Sequence, residues 1–145
     1  MIIILTQCFP SRLGGIESLV SNLALGLGKK EKIVVFADSH HLFYDAIYDN
    51  QCKDQIIVRR TGGLKFFRRR KKIRELKPFI ESNQVKLVIA DTWKSLELSI
   101  DLLDKKNIST ICLAHGNELL SNNLKKTQRI IKIFNSASSI IANSQ

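Results

Sequence analysis

Three short clusters in this chain carry groups that could bind or move charge. The first is Phe9-Pro10-Ser11-Arg12-Leu13-Gly14-Gly15-Ile16-Glu17, which sets two glycines between an apolar run and a helical pattern. A glycine pair at a helix start lets backbone N–H groups approach an anionic ligand, where the helix dipole also favours negative charge. A tight turn without a ligand would use the same residues. The spacing is neither that of a dinucleotide fingerprint nor that of a Walker loop, because no third glycine and no Gly-Lys-Ser/Thr follows. The second cluster, His115-Gly116-Asn117-Glu118, directly follows an apolar run. Its imidazole sits at a strand end, where it either donates to a ligand oxygen or satisfies a structural contact. Glu118 suits a general base or, equally, a helix N-terminus. The third is Asp91-Thr92-Trp93, in which Asp91 either binds a polar ligand or joins Thr92 in capping the next helix.

These clusters need a scaffold, and the hydrophobic pattern supplies one. Ile2-Ile3-Ile4-Leu5 reads as a strand buried on both faces. Ile16, Leu19, Val20, Leu23 and Leu27 then mark one face of a helix. Further strands are expected at 32–37, 55–58, 86–90, 109–114 and 139–142. The polar and aromatic connection over 40–53 has no clear period. A basic helix beginning at Lys65 has Phe66, Phe67, Ile73, Leu76, Phe79 and Ile80 as its apolar positions, with Pro78 expected to kink or break it. Another helix carries Trp93, Leu96, Ile100 and Leu103, and a last one over 119–135 turns Leu120, Leu124, Ile131 and Phe134 inward. Strands alternating with helices predict a doubly wound, Rossmann-like α/β fold, with a parallel sheet covered on both faces. In the order 3-2-1-4-5-6 the ligand crevice lies beyond the strand ends where the order reverses, so all three polar clusters converge on one edge.

A length of 145 residues fits one domain able to bury a core without disulfides. No apolar stretch reaches the roughly 18 residues that span a bilayer, and no signal peptide is evident, so a cytoplasmic protein is the default expectation. Cys8, Cys52 and Cys112 form no CxxC pair, and His40, His41 and Cys52 lack the spaced partners of a metal site. No metal or other cofactor is expected.

The net charge of +10 is concentrated: the stretch from Arg59 to Lys77 holds ten Lys or Arg against one acid, Glu75. A single patch of this kind suggests docking on one anionic partner. Within it, Phe66-Phe67-Arg68-Arg69-Arg70-Lys71-Lys72 interleaves aromatics with cations, as an interfacial helix on anionic lipid does. A purely solvated charge run is the plain alternative. Single-stranded nucleic acid also uses stacking aromatics beside cations, but no nucleic-acid motif accompanies them, and nucleic acid is not expected as a partner.

Three segments in register with this pattern, 9–17, the strand ending in His115-Gly116-Asn117-Glu118, and Ala137-Ser138-Ser139-Ile140-Ile141-Ala142-Asn143-Ser144, resemble the N-terminal domain of the retaining glycosyltransferases of family 4, which have the GT-B fold. The resemblance covers essentially the whole chain. It implies a two-domain, metal-independent enzyme that moves a sugar from a nucleotide-sugar donor to a lipid-linked or cell-envelope glycan acceptor. Residues 1–145 would form the acceptor-side half, and the donor-binding C-terminal half would be missing from them. The resemblance places Gly14, Gly15 and Glu17 against the donor diphosphate or acceptor, and His115 beside the transferred sugar as the catalytic position. Asp91, Gly116, Asn117, Glu118 and Ser144 join them as binding residues. Phe66 to Lys72 would hold the enzyme peripherally on the inner face of an anionic membrane. The alternative is a non-catalytic module that docks on a membrane or a partner subunit through the basic helix.

Overall fold

The structure, a computed structural model, describes residues 1–116 and 123–143. In chain order the elements are β1 (Ile2–Leu5), α1 (Gly15–Gly28), β2 (Ile33–Asp38), α2 (Leu42–Cys52), β3 (Ile57–Thr61), α3 (Lys65–Glu81), β4 (Leu87–Ala90), α4 (Trp93–Leu96), α5 (Ile100–Lys105), β5 (Ser109–His115), α6 (Leu124–Ser136) and β6 (Ser139–Asn143). The strands form one parallel sheet in the order β3-β2-β1-β4-β5-β6. This is the expected doubly wound arrangement.

β1 lies at the centre because it can be buried on both faces. Ile3 and Leu5 point into a cluster with Leu76 and Ile80 of α3, Trp93 and Leu96 of α4, Ile100 and Leu103 of α5, and Ile130 and Ile133 of α6. Ile2 and Ile4 point the other way, toward Val20 and Ala24 of α1 and Cys52 of α2. Each such aliphatic side chain contributes about 1.5–3 kcal/mol on burial, so a four-residue strand suffices to seed both halves of the core.

Several expectations need correction. The buried stripe of α1 is Glu17, Val20, Ser21 and Ala24, one position off the expected face, and Leu19 is partly exposed. The unassigned connection folds as α2, which buries few residues and leaves Leu42, Phe43 and Tyr44 in solvent, so its amphipathic signal is weak. Pro78 does not break α3, which runs on to Glu81. So close to the helix C-terminus, its missing N–H removes only one ladder bond. The helix after β4 is two, divided at the buried Ser99, whose hydroxyl donates to the Leu96 carbonyl. In α6 the buried residues are Ile130 and Ile133, whereas Leu124 and Ile131 are exposed; Leu120 lies outside the described residues. Among the described residues the sheet is also not covered everywhere. Over β4, β5 and β6, on the side where α1 packs, Leu19, Leu23, Ile89, Ile111, Leu113, Ile141 and Ala142 line an open apolar groove of about 230 Å³.

Candidate functional site

β1 and β4 are neighbours in the sheet, yet the connections leaving them diverge, with α1 packed on one face and α4 on the other. That divergence opens a cleft at the C-terminal strand ends, where α/β folds place ligands. Its volume is about 810 Å³, and its walls come from the β1–α1 loop, the end of β2, the first turns of α3 and α4, and α6.

The floor is a tight polar lattice. Thr6 Oγ1 donates to Asp91 Oδ2 at 2.7 Å and accepts from the Cys8 N–H at 2.9 Å, while the Gln7 N–H donates to the same carboxylate oxygen at 3.3 Å. Asp91 is 1% exposed. Burial pushes its carboxyl up, against hydrogen bonds from Ser95 and Thr6 and the charge of Lys72. Neither sequence reading describes it fully: it lines a side cavity of about 220 Å³ with Gln7, Cys8 and Trp93, but its first task is tying β4 to the loop after β1. Thr92 occupies the N-cap position of α4 without a side-chain capping bond. Burial, and then the Asp91 and Glu17 carboxylates, push the Cys8 thiol up to about 11, so this cleft cysteine is a poor nucleophile. The Gln7 Nε2 is buried without a partner among the described residues, leaving a spare donor at the floor.

His115 lies at the end of β5, and its Nε2 donates to the Asp91 carbonyl at 2.8 Å. A neutral ring held this way keeps its proton on Nε2 and leaves Nδ1 as an acceptor. The structural contact foreseen as the alternative therefore exists, and only one edge of the ring is left for a ligand. Gly116 follows as an exposed residue, whereas Asn117, Glu118 and Ser144 lie outside the described residues.

Gly14 is the N-cap of α1 and Gly15 its first residue; of the loop leading to them, Gln7, Cys8 and Arg12 line the cleft and the two glycines do not. Neither adopts the left-handed backbone; a Cβ on Gly15 would meet nothing within 4 Å, whereas one on Gly14 would run into the Glu17 carboxylate. Glu17 folds back over Gly14 and pairs with Arg12 at 3.1 Å. The positive end of the helix thus already faces a carboxylate, with Arg12 as its counter-charge.

The residues that fix this turn, Phe9 apart, escaped the sequence reading. Phe9 is fully buried edge-to-face against Tyr48, and the Arg60 guanidinium lies 5.3 Å from the Phe9 ring centre. Arg60 pairs with Asp49 at 2.7 Å and Asp45 at 3.4 Å, and donates to the Pro10 carbonyl. Asp45 accepts from Ser11 Oγ, Ser39 Oγ and the His40 N–H. The only sequence signal was the alternation of β3, which turns Arg60 toward α2.

The basic helix divides into three roles. Phe66 is 90% exposed and Phe67 60% exposed, so neither is core. Arg70 and Lys71 face solvent, and Arg68 Nε donates to the Gly63 carbonyl at 2.7 Å. Arg69 enters the cleft, donating to Glu97 at 2.6 Å and to the Lys94 carbonyl at 2.7 Å. Lys72 is the correction: it cannot meet a membrane, being 5% exposed, paired with Asp38 at 2.6 Å and donating to the Thr6 carbonyl. The stripe that buries Leu76 and Ile80 also carries residue 72 inward at i, i+4, i+8 spacing.

Two solved structures share this fold. Anabaena Alr3699/HepE in complex with UDP superposes with a TM-score of 0.68 at 18% identity over 99% of the chain. The same protein with UDP and glucose gives 0.68 at 17% identity over 100% of it. The chain spans 38% of the length of each. No protein-family model and no curated protein sequence matches the chain.

Proposed function

We propose that this chain is the acceptor-side half of a retaining glycosyltransferase of the family 4 type, transferring a sugar from a nucleotide-sugar donor to a lipid-linked or cell-envelope acceptor. The observation that carries the proposal is the cleft at the β1/β4 divergence, on a fold shared with a protein that holds UDP and glucose. In this reading Gly14 and Gly15 lie against the donor diphosphate or the acceptor, and the ligand's anionic group takes the place of the Glu17 carboxylate at the start of α1. His115 lies beside the transferred sugar, its ring oriented by the Asp91 carbonyl. Gly116, Asn117, Glu118 and Ser144 are the further substrate-binding residues of this reading. The donor-binding wall belongs to a second domain, which closes over the cleft and excludes water.

The test needs the chain together with such a domain. His115→Ala and Gly15→Pro should each lower sugar transfer at least about tenfold. Proline is well tolerated at the first helical position, so Gly15→Pro removes one N–H while keeping α1. Turnover within about twofold of the parent in both variants would refute the site.

Membrane docking belongs to the same proposal. Leu64, Phe66 and Phe67 are exposed where α3 begins, beside Lys65, Arg68, Arg70 and Lys71. Apolar insertion next to cations is the pattern of an interfacial helix. No helix among the described residues is long and apolar enough to cross a membrane. Flotation with phosphatidylglycerol vesicles should be salt-sensitive and lost in Phe66→Ser with Arg70→Glu. Equal binding to neutral vesicles would argue against it.

A further inference from the structure

The cleft is far more cationic than transfer of a neutral sugar requires. Among its lining residues, Lys65, Arg69, Lys94, Lys126 and Arg129 come from α3, α4 and α6, three separate helices. Convergence from three elements is not what a solvated charge run on one helix produces. Self-repulsion should drive these groups apart unless something holds them. Glu97 does so for two: Arg129 grips it in a fork, Nε to Oε1 at 2.7 Å and Nη2 to Oε2 at 2.9 Å, and Arg69 donates to Oε2 at 2.6 Å. Burial would raise the Glu97 carboxyl, but the hydrogen bonds from Arg129 and Arg69 outweigh it and hold it low. One carboxylate therefore orients two guanidiniums and neutralises only one. The Arg129 guanidinium also lies 5.4 Å from the Trp93 ring centre, and Lys94 Nζ lies 5.7 Å from it. Lys65, Lys94 and Lys126 have no carboxylate partner among the described residues.

We infer that this wall is a phosphoanion subsite that holds the diphosphate head of an amphiphilic acceptor. The inference rests on the glycosyl-transfer reading and names its acceptor class. Guanidinium forks and lysine ammonium groups are the side chains that match phosphate oxygens. Two or more uncompensated positive charges suit a diphosphate better than a neutral glycan. The lip of the cleft supplies the apolar half: Phe66 lines it with its ring 90% exposed, and Leu64 stands exposed just before it. A lipid tail leaving the diphosphate would run over that lip toward the surface where α3 meets a bilayer. Glu97 is a positioning residue here, acting through Arg69 and Arg129.

The chain has a single tryptophan, Trp93, and it sits in this wall, so its fluorescence reports occupancy directly. Farnesyl diphosphate should change Trp93 emission at physiological salt, with inorganic pyrophosphate binding about tenfold more weakly through the same residues and farnesol not binding. Arg129→Gln should weaken farnesyl diphosphate about tenfold or more, Glu97→Gln should weaken it by misplacing both guanidiniums, and Lys132→Gln, exposed on α6 outside the cleft, should stay within about twofold. Circular dichroism separates weakened binding from lost folding. Equal affinity for farnesol, or an Arg129→Gln variant binding normally, would overturn the subsite. So would tighter binding of UDP through Arg129, or a Trp93 response of equal Arg129 dependence to plain phosphatidylglycerol vesicles or an oligonucleotide. The measurement requires no turnover. Binding of the diphosphate by a protein that transfers no sugar would count against the glycosyl-transfer reading alone, and transfer to neutral acceptors without diphosphate binding would count against the subsite alone.

Discussion

Replacing Lys72 by Met is expected to lower the stability of the chain by about 3–5 kcal/mol, the usual result of removing one partner of a buried ion pair. Lys72 pairs with Asp38, and its charge also reaches the buried Asp91. Burial pulls the Lys72 ammonium down, opposed by Asp38, so the pair exists only because each charge answers the other. Methionine fills the same path through the helix face but leaves two carboxylates without a cation. Adding Asp38→Asn to Lys72→Met should return part of the loss, because it removes one uncompensated charge. Urea unfolding of the parent, both single variants and the double variant measures the coupling. A Lys72→Met protein as stable as the parent would mean that Lys72 is not the counter-ion of this floor. The consequence for function is direct, since Lys72 also donates to the carbonyl of Thr6, the residue that fixes Asp91 at the bottom of the cleft.

Asp45→Ala should cost about 3 kcal/mol by orphaning its donors and leaving Arg60, whose side chain is 11% exposed, short of one partner. The same carboxylate makes the glycine turn acid-sensitive. Burial alone would raise it, but hydrogen bonds from Ser11, Ser39 and His40, together with the Arg60 charge, hold it at about 2 against an ordinary 3.8. A depressed folded value stabilises fully above the unfolded value and is lost as pH falls from about 4 toward 2, a loss on the order of 2 kcal/mol. Denaturation from pH 7 to pH 2 should therefore show the gap between parent and Asp45→Asn closing across that window. A gap independent of pH would show that Asp45 is not held as an anion. Because Ser11 is one of its donors, loosening Asp45 also loosens the turn that leads to Gly14 and Gly15.

The outcome for particular residues shows what each level of information governs. Alternation of short apolar runs with helical periods was enough to predict all six strands and their order, because burial on both faces demands continuous β-branched runs and parallel pairing demands crossovers. Helix faces were less legible. In α1 and α6 the stripe shifted by a position, since the angle at which a helix meets the sheet is set by its partners and not by its own sequence. The basic run from Phe66 to Lys72 reads as one uniform patch in sequence, yet packing of Leu76 and Ile80 divides it into a lip, a cleft wall and a buried counter-ion. Composition located the positive charge but could not say which charges are neutralised, because Asp38, Glu97 and Asp45 are remote in sequence from the cations they meet. The sequence by itself determined the fold class and the order of the strands. Only the tertiary structure decided that His115 is tied to Asp91, that Arg60 braces the glycine turn, and that Glu97 gathers two arginines, one of them over the tryptophan. Each of those is a contact between distant segments whose energy depends on burial and distance, and none is written in local residue order.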